Sequence, residues 1–226
     1  MHGVLIFKKI FAILQKNSAG VNLLTKIFLI RHGETAWNKI GKLQGVSDVE
    51  LSPEGIKQAR LLAEHAPFNS VDAIYSSDLI RAVKTAEILA QRFNLPVIKN
   101  GGLRETSFGT WEGKLLSDLA KENPQGFENF FSNPDKVKPP QGETFLQSQA
   151  RIMNALNAII ADNEGKNIIV VSHGAAIRLI ICAALGISIG KMWAISQHNT
   201  ALNILNFADG HFSVELLNGT LHLYNF

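Results

Sequence analysis

A chain of 226 residues, 46% hydrophobic and 18% charged, is long enough for one well-buried core and lacks the composition of a fibrous or low-complexity protein. The net charge of +3 suits anionic small molecules. No Lys/Arg stripe interleaved with aromatics accompanies it, which argues against a nucleic-acid partner.

Cys182 is the only cysteine, so an intramolecular disulfide and a cysteine-based metal cage are both excluded. It lies in the apolar run 179–185 and reads as a buried structural thiol, and the cytoplasm is the expected compartment. Residues 1–25 contain an apolar stretch, 4–14, interrupted by Lys8 and Lys9. It lacks the charge order of a signal peptide and is too short to span a bilayer. Two readings stand: a dispensable extension, or an amphipathic helix lying on a membrane or on the domain, with no stable membrane insertion.

The ordered pattern begins at Lys26. Ile27-Phe28-Leu29-Ile30 is a short apolar run ended by Gly33, which predicts a buried strand with Arg31 and His32 at its carboxyl end. Open α/β sheets bind ligands at that edge. A guanidinium offers a planar fork to a phosphate, and a neutral imidazole is a nucleophile near neutral pH. The plainer reading of the pair is a strand end with two exposed polar residues.

Ser52-Pro53-Glu54 starts a helix, with serine as cap and proline in the first turn. That helix carries Ile56, Ala59, Leu62 and Ala63 on one side and ends before Pro67. Residues 71–75 read as a second buried strand closed by Ser76-Ser77. Asp78 is expected to cap a helix running to about Phe93, with Arg81 in its first turn, and 96–98 to form a short strand.

From 101 to 142 the texture shifts to Gly, Pro, Asn and aromatics, with short helices expected near 115–121 and 127–131. This stretch has too few apolar residues for its own core and reads as a lid insertion over the site. A long helix is expected over 144–160 and a clear strand over 167–171. Ser172-His173-Gly174 then opens an apolar helix to Leu185. Residues 199–207 and 212–217 read as antiparallel strands around the Asp209-Gly210 turn. The expected fold is α/β: a three-layer α/β/α sandwich with a mostly parallel central sheet, forming one domain over 26–226.

Four places put a phosphate-competent group just after a strand or at a helix start: Arg31-His32, Arg81, Glu105 and His173. Each alone has an ordinary explanation, but strand ends of a parallel sheet converge on one edge. At these positions the chain resembles the histidine phosphatase superfamily, the phosphoglycerate mutase-like proteins. The resemblance is carried by Arg31-His32-Gly33-Glu34 with Trp37-Asn38, and by Ser77-Asp78-Leu79 with Arg81-Ala82 and Thr85-Ala86. It continues in Phe108-Gly109 with Trp111-Glu112-Gly113, in Gly142-Glu143-Thr144 and in Val171-Ser172-His173-Gly174. The motifs occur in order over about residues 26–218.

That resemblance implies that His32 attacks phosphorus and becomes a phosphohistidine. It implies that Arg31, Arg81 and His173 form a cationic pocket for the transferring oxygens, with Asn38 and the Gly174 amide as further donors. A bound phosphate dianion would favour the cationic form of His173. Glu105 would protonate the leaving oxygen and then help activate water. Glu34 and Thr35 would fix the loop, and Gln44 and Gly45 would contact substrate. No cofactor and no metal are implied, because the arginines supply the positive charge.

The interval 116–141 is short, with Lys121, Lys136 and Lys138 as its basic residues and Phe127, Phe130 and Phe131 giving it apolar character. This favours a phosphatase acting on a small-molecule phosphomonoester over a phosphoglycerate mutase. The lid is similar to those of broad-specificity bacterial phosphatases and alpha-ribazole phosphatases. A non-catalytic phosphate-binding module is disfavoured because His32, Glu105 and His173 are all present. A homodimer paired through the terminal strands is a candidate assembly.

Overall fold

The computed structural model describes residues 23–224. The apolar stretch 4–14, on which the expectation of an amphipathic helix within residues 1–25 rests, lies outside that range. Thr25, which the sequence pattern leaves in the extension, is already the buried first residue of a strand.

A six-stranded mixed sheet organises the molecule in the order β3-β2-β4-β1-β5-β6. Its strands are β1 (Thr25–Arg31), β2 (Ala73–Ser76), β3 (Val97–Lys99), β4 (Asn167–Ser172), β5 (Leu202–Ala208) and β6 (His211–Gly219). The four from β3 to β1 run parallel, and β5 and β6 add antiparallel at one edge. Their β-branched, apolar runs are what a sheet covered on both faces requires.

Alternation along β1 shows the three layers. Ile27 and Leu29 join Ile168 and Val170 in one core, under the helices α6 (Phe145–Ala161) and α7 (Gly174–Leu185). Phe28 and Ile30 join Ile74, Ile169 and Val171 in the other, against α2 (Pro53–His65) and α3 (Ile80–Phe93). The remaining helices are short: α1 (Ala36–Lys39), α4 (Leu116–Glu122) and α5 (Pro124–Ser132). The lid segment packs Leu103, Phe108, Trp111, Leu119, Phe130 and Val137 into the same core as α6 and α7. None of the described helices is long and apolar enough to cross a membrane.

Two local expectations need correction. Asp78 does not cap α3: its carboxylate takes two hydrogen bonds from Arg104, at 2.7 and 2.6 Å. The amide of Ile80 donates instead to Asp48 Oδ1 at 2.7 Å, and that of Leu79 to Ser77 Oγ. A carboxylate from a distant loop thus supplies the negative end that the helix start favours. Residues 199–201 also precede β5 and do not belong to it. Thr200 sits at φ +55°, in the left-handed region, which no regular strand accommodates.

Candidate active site

The register of β1 against β4 brings the two histidines together. Arg31 pairs with Ser172, and the amide of His32 donates to Ser172 O at 3.0 Å, so His32 and His173 leave adjacent strands side by side. Their ring centroids lie 5.2 Å apart. His32 faces a cavity of about 180 Å³ at the carboxyl edge of the sheet, which Arg31, Asn38, Gln44, Gly45, Arg81, Glu105 and Gly174 also line. His173 is completely buried beside His32, and neither of its ring nitrogens has a partner among the described residues.

His32 Nδ1 lies 2.7 Å from Gly33 O. A carbonyl oxygen only accepts, so Nδ1 carries the proton and Nε2 keeps its lone pair. Burial, then Arg81, then Arg31 push the imidazole well below its ordinary range, which keeps it neutral at physiological pH. His173 is pushed down likewise, by burial and then by Arg81.

Arg81 is buried and Arg31 half-buried, and each is lowered to about 10, first by desolvation, so both remain cationic at neutral pH. Arg31 donates to Gln197 O at 2.6 Å while its Nε has no partner. Arg81 donates to Ser47 O and Gly45 O, both at 2.7 Å, and its Nε is likewise unpartnered. Buried donors of this kind are normally satisfied, so unsatisfied ones beside a cavity mark where an oxyanion can be held.

Gly45, expected from the resemblance to contact substrate, lines the cavity; its carbonyl also fixes Arg81, and its φ of +54° together with Glu112 Oε1, which a Cβ would overlap, leaves room only for glycine. Glu112 ties this loop down, accepting from Val46, Ser47 and Phe108 amides at 2.9 to 3.1 Å. Gln44 lines the cavity with its Oε1 unpartnered.

The Glu105 carboxylate is seated on the first turn of α7. Oε2 accepts from the Ala175 amide and Oε1 from those of Ala176 and Thr106, each at 2.9 Å. Arg151, which donates to Glu105 O and pairs with Glu143, holds the segment from behind. Asn38 and Thr35 form a capping box at α1. Asn38 Oδ1 also accepts from Asn199, which leaves the amide Nδ2 as its spare donor. Glu34 fixes the loop, as expected, through Ser52.

Sequence reasoning passed over Arg178, which lines the same cavity. Its guanidinium lies over Trp193 at 5.1 Å and donates to Ile195 O and Gly174 O. The available signal was a single arginine within an otherwise apolar twelve-residue helix. Asn199 was also missed as a contact: its Nδ2 donates to His32 O at 3.1 Å. Of the three lid phenylalanines, Phe130 and Phe131 line the cavity, whereas Phe127 packs beside Phe131 away from it. No group of His, Cys, Asp and Glu among the described residues is arranged to hold a metal ion.

Residues 27–220 match the model of the histidine phosphatase superfamily (branch 1). Phosphoserine phosphatase 1 of Hydrogenobacter thermophilus is 33% identical over 203 residues, 90% of this chain and 96% of that one. A metal-independent phosphoserine phosphatase of Arabidopsis thaliana is 34% identical over 88% and 84% of the two chains. A probable phosphoglycerate mutase GpmB of Serratia proteamaculans is 33% identical over 73% and 76%.

Among solved structures, Bacillus stearothermophilus YhfR superposes with a TM-score of 0.85 at 30% identity, covering 88% of this chain and all of that one. A phosphoserine phosphatase variant of Entamoeba histolytica in complex with phosphoserine gives 0.80 at 35%, with the same coverage. A putative alpha-ribazole-5'-P phosphatase of Escherichia coli gives 0.78 at 27%, covering 87% and 97%. The chain therefore belongs to branch 1 of the histidine phosphatase superfamily and is a phosphoric monoester hydrolase.

Proposed function

We propose that the protein hydrolyses small, carboxylate-bearing phosphomonoesters of the phosphoserine type through a phosphohistidine on His32. The observation that carries this reading is the state of His32: buried, neutral, with Nδ1–H engaged by Gly33 O and Nε2 unprotonated at the cavity between two arginines.

In the first step His32 Nε2 bonds to phosphorus as the ester P–O bond breaks, and Glu105 gives a proton to the leaving oxygen. Arg31, Arg81 and His173 hold the equatorial oxygens, with the Asn38 amide and Gly174 N–H as further donors. In the second step water attacks phosphorus, its proton passes to Glu105, and the P–N bond breaks to release inorganic phosphate. The positive charge that this chemistry needs comes from the arginines.

The substrate class rests on charge. A phosphate dianion faces Arg31 and Arg81, and the same cavity is lined further out by Arg178 and Lys42. That excess suits a second anionic group such as a carboxylate, which phosphoserine has and alpha-ribazole phosphate lacks. The names of the Hydrogenobacter and Arabidopsis relatives point the same way. A phosphoglycerate mutase shares the carboxylate. Its probable relatives make interconversion of 2- and 3-phosphoglycerate the arm to measure against hydrolysis.

The test is a phosphomonoester panel, with and without EDTA, containing phosphoserine, 3-phosphoglycerate and alpha-ribazole phosphate. Preferred, EDTA-insensitive hydrolysis of phosphoserine is expected, with an acid-labile phosphoenzyme that His32→Ala abolishes. Undiminished activity in His32→Ala would sink the mechanism. Preference for alpha-ribazole phosphate would overturn the substrate class alone.

A further inference from the structure

Thr200 is a β-branched residue held at φ +55°, a conformation that costs free energy and persists only where neighbouring structure enforces it. Completely buried, it enforces something in turn: its amide donates to Arg31 O at 3.1 Å and to His32 O at 3.3 Å. The preceding residue, Asn199, donates from Nδ2 to the same His32 carbonyl and to Asn38 Oδ1. The turn at 199–200 therefore clasps the peptide that carries the nucleophile.

Behind this clasp stands His222, on the last turn of the described chain, Leu221–Leu223, packed beside α2. The Thr200 hydroxyl donates its single proton to Asn199 O at 2.8 Å. It can then only accept from His222, whose Nε2 lies 3.0 Å away, so Nε2 is the protonated nitrogen of that ring. The imidazole is 8% exposed, and burial and then His65 on α2 bring it down to about 4, so it stays neutral. The family match ends at residue 220. His222 lies beyond it.

We propose that His222 is a positioning residue for the nucleophile: by hydrogen-bonding Thr200 it fixes the Arg31 and His32 carbonyls, and with them the aim of the His32 ring. This rests on His32 being the phosphorylated group. Misplacement of a reacting group by about 1 Å can cost up to about a hundredfold in rate, so a relay two residues removed from the chemistry can register in kcat.

The experiment compares His222→Ala, His222→Gln and Thr200→Ala in the full chain with phosphoserine, reading kcat, KM and the rate of phosphoenzyme formation by rapid quench. His222→Ala is expected to lower kcat and phosphorylation about tenfold with KM nearly unchanged, since the arginines that bind phosphate are untouched. His222→Gln, whose amide can still donate to Thr200, is expected to recover most of that loss. Thr200→Ala, which leaves His222 in place, should reproduce it. Unchanged kcat in His222→Ala, with or without a lower melting temperature, overturns the proposal. So does equal loss in the Ala and Gln variants, because a donor is then not what matters. Failure of the phosphohistidine reading appears separately, as activity surviving in His32→Ala.

Discussion

The rings of His32 and His173 lie 5.2 Å apart at 57°, on neighbouring strand ends joined by the His32 N–H to Ser172 O hydrogen bond. Both are buried beside Arg81, and both are driven well below the ordinary histidine range, chiefly by desolvation. The sheet thus presses two imidazoles into a cationic, water-poor place that disfavours the charged form of both. An oxyanion facing Arg31 and Arg81 would oppose that lowering at His173 by supplying the opposite charge.

This arrangement sets a pH dependence of stability. His32, His173 and His222 each protonate near pH 6.5 in the unfolded chain, but only at lower pH in the folded one, His222 at about 4. In that window the unfolded state binds more protons, so stability rises with pH by up to ~1.4 kcal/mol per unit for each histidine. The melting temperature of the free protein is expected to hold steady above about pH 7 and to fall steadily from pH 6.5 toward pH 5. Asp78, held down by its hydrogen bonds with Arg104, adds a loss only at still lower pH. Orthovanadate or phosphate should flatten the decline. A melting temperature independent of pH between 7 and 5 would contradict the neutral histidines.

Glu105→Gln separates proton transfer from phosphate binding. The variant keeps an acceptor for the Ala176 and Thr106 amides, turns its NH2 toward the Ala175 amide, and gives no proton to a leaving alkoxide. Turnover of phosphoserine is expected to fall roughly 10²- to 10⁴-fold, the usual contribution of general acid–base catalysis. With p-nitrophenyl phosphate, whose phenolate leaves without a proton, phosphoenzyme formation should suffer far less. Equal losses of phosphorylation rate on both substrates would move the acid role elsewhere.

Phe130 ties the lid to the core. It is 2% exposed and sits among Phe108, Trp111, Phe145 and Trp193, with ring centroids 5.0 to 6.4 Å away. Its neighbour Phe131 is 40% exposed at the cavity mouth. Phe130→Ala is expected to cost about 3–5 kcal/mol of folding stability, the range for a buried aromatic. Phe131→Ala should leave denaturant midpoints almost unchanged and act on KM. Comparable destabilisation by both would mean that the lid packs independently of the sheet.

The sheet and the motif residues were legible in the sequence because their signals are local. Short β-branched runs such as 27–30 and 167–171 read as strands, and strand ends of a parallel sheet meet at one edge. What escaped were partners chosen by tertiary approach. Asp78 has a helix cap's sequence context, but Arg104, 26 positions on, captures it. The run at 199–201 has a strand's composition, yet Thr200 must turn to reach the Arg31 and His32 carbonyls, and no local pattern announces a positive φ at a threonine. The placement of His173 after β4 was legible, whereas its complete burial beside His32 depends on the packing of α7.

Arg178 offers the sharpest separation of substrate specificity from phosphate chemistry. Its Nε and Nη1 are committed to Ile195 O and Gly174 O, and Trp193 lies under the guanidinium plane, so the group is pre-ordered with Nη2 left over. Burial lowers it from the usual arginine value, with Glu105 opposing, and a desolvated cation gains more from an added anion than a solvated one. A hydrogen bond to a charged partner contributes about 1.5–3 kcal/mol, equivalent to roughly 10- to 100-fold in affinity. Arg178→Met keeps most of the stem and is expected to raise KM for phosphoserine at least about tenfold. KM for p-nitrophenyl phosphate, which has no carboxylate, should change by no more than about twofold. An equal rise on both substrates would assign Arg178 to the phosphate itself, and an unchanged KM on both would remove it from substrate recognition altogether.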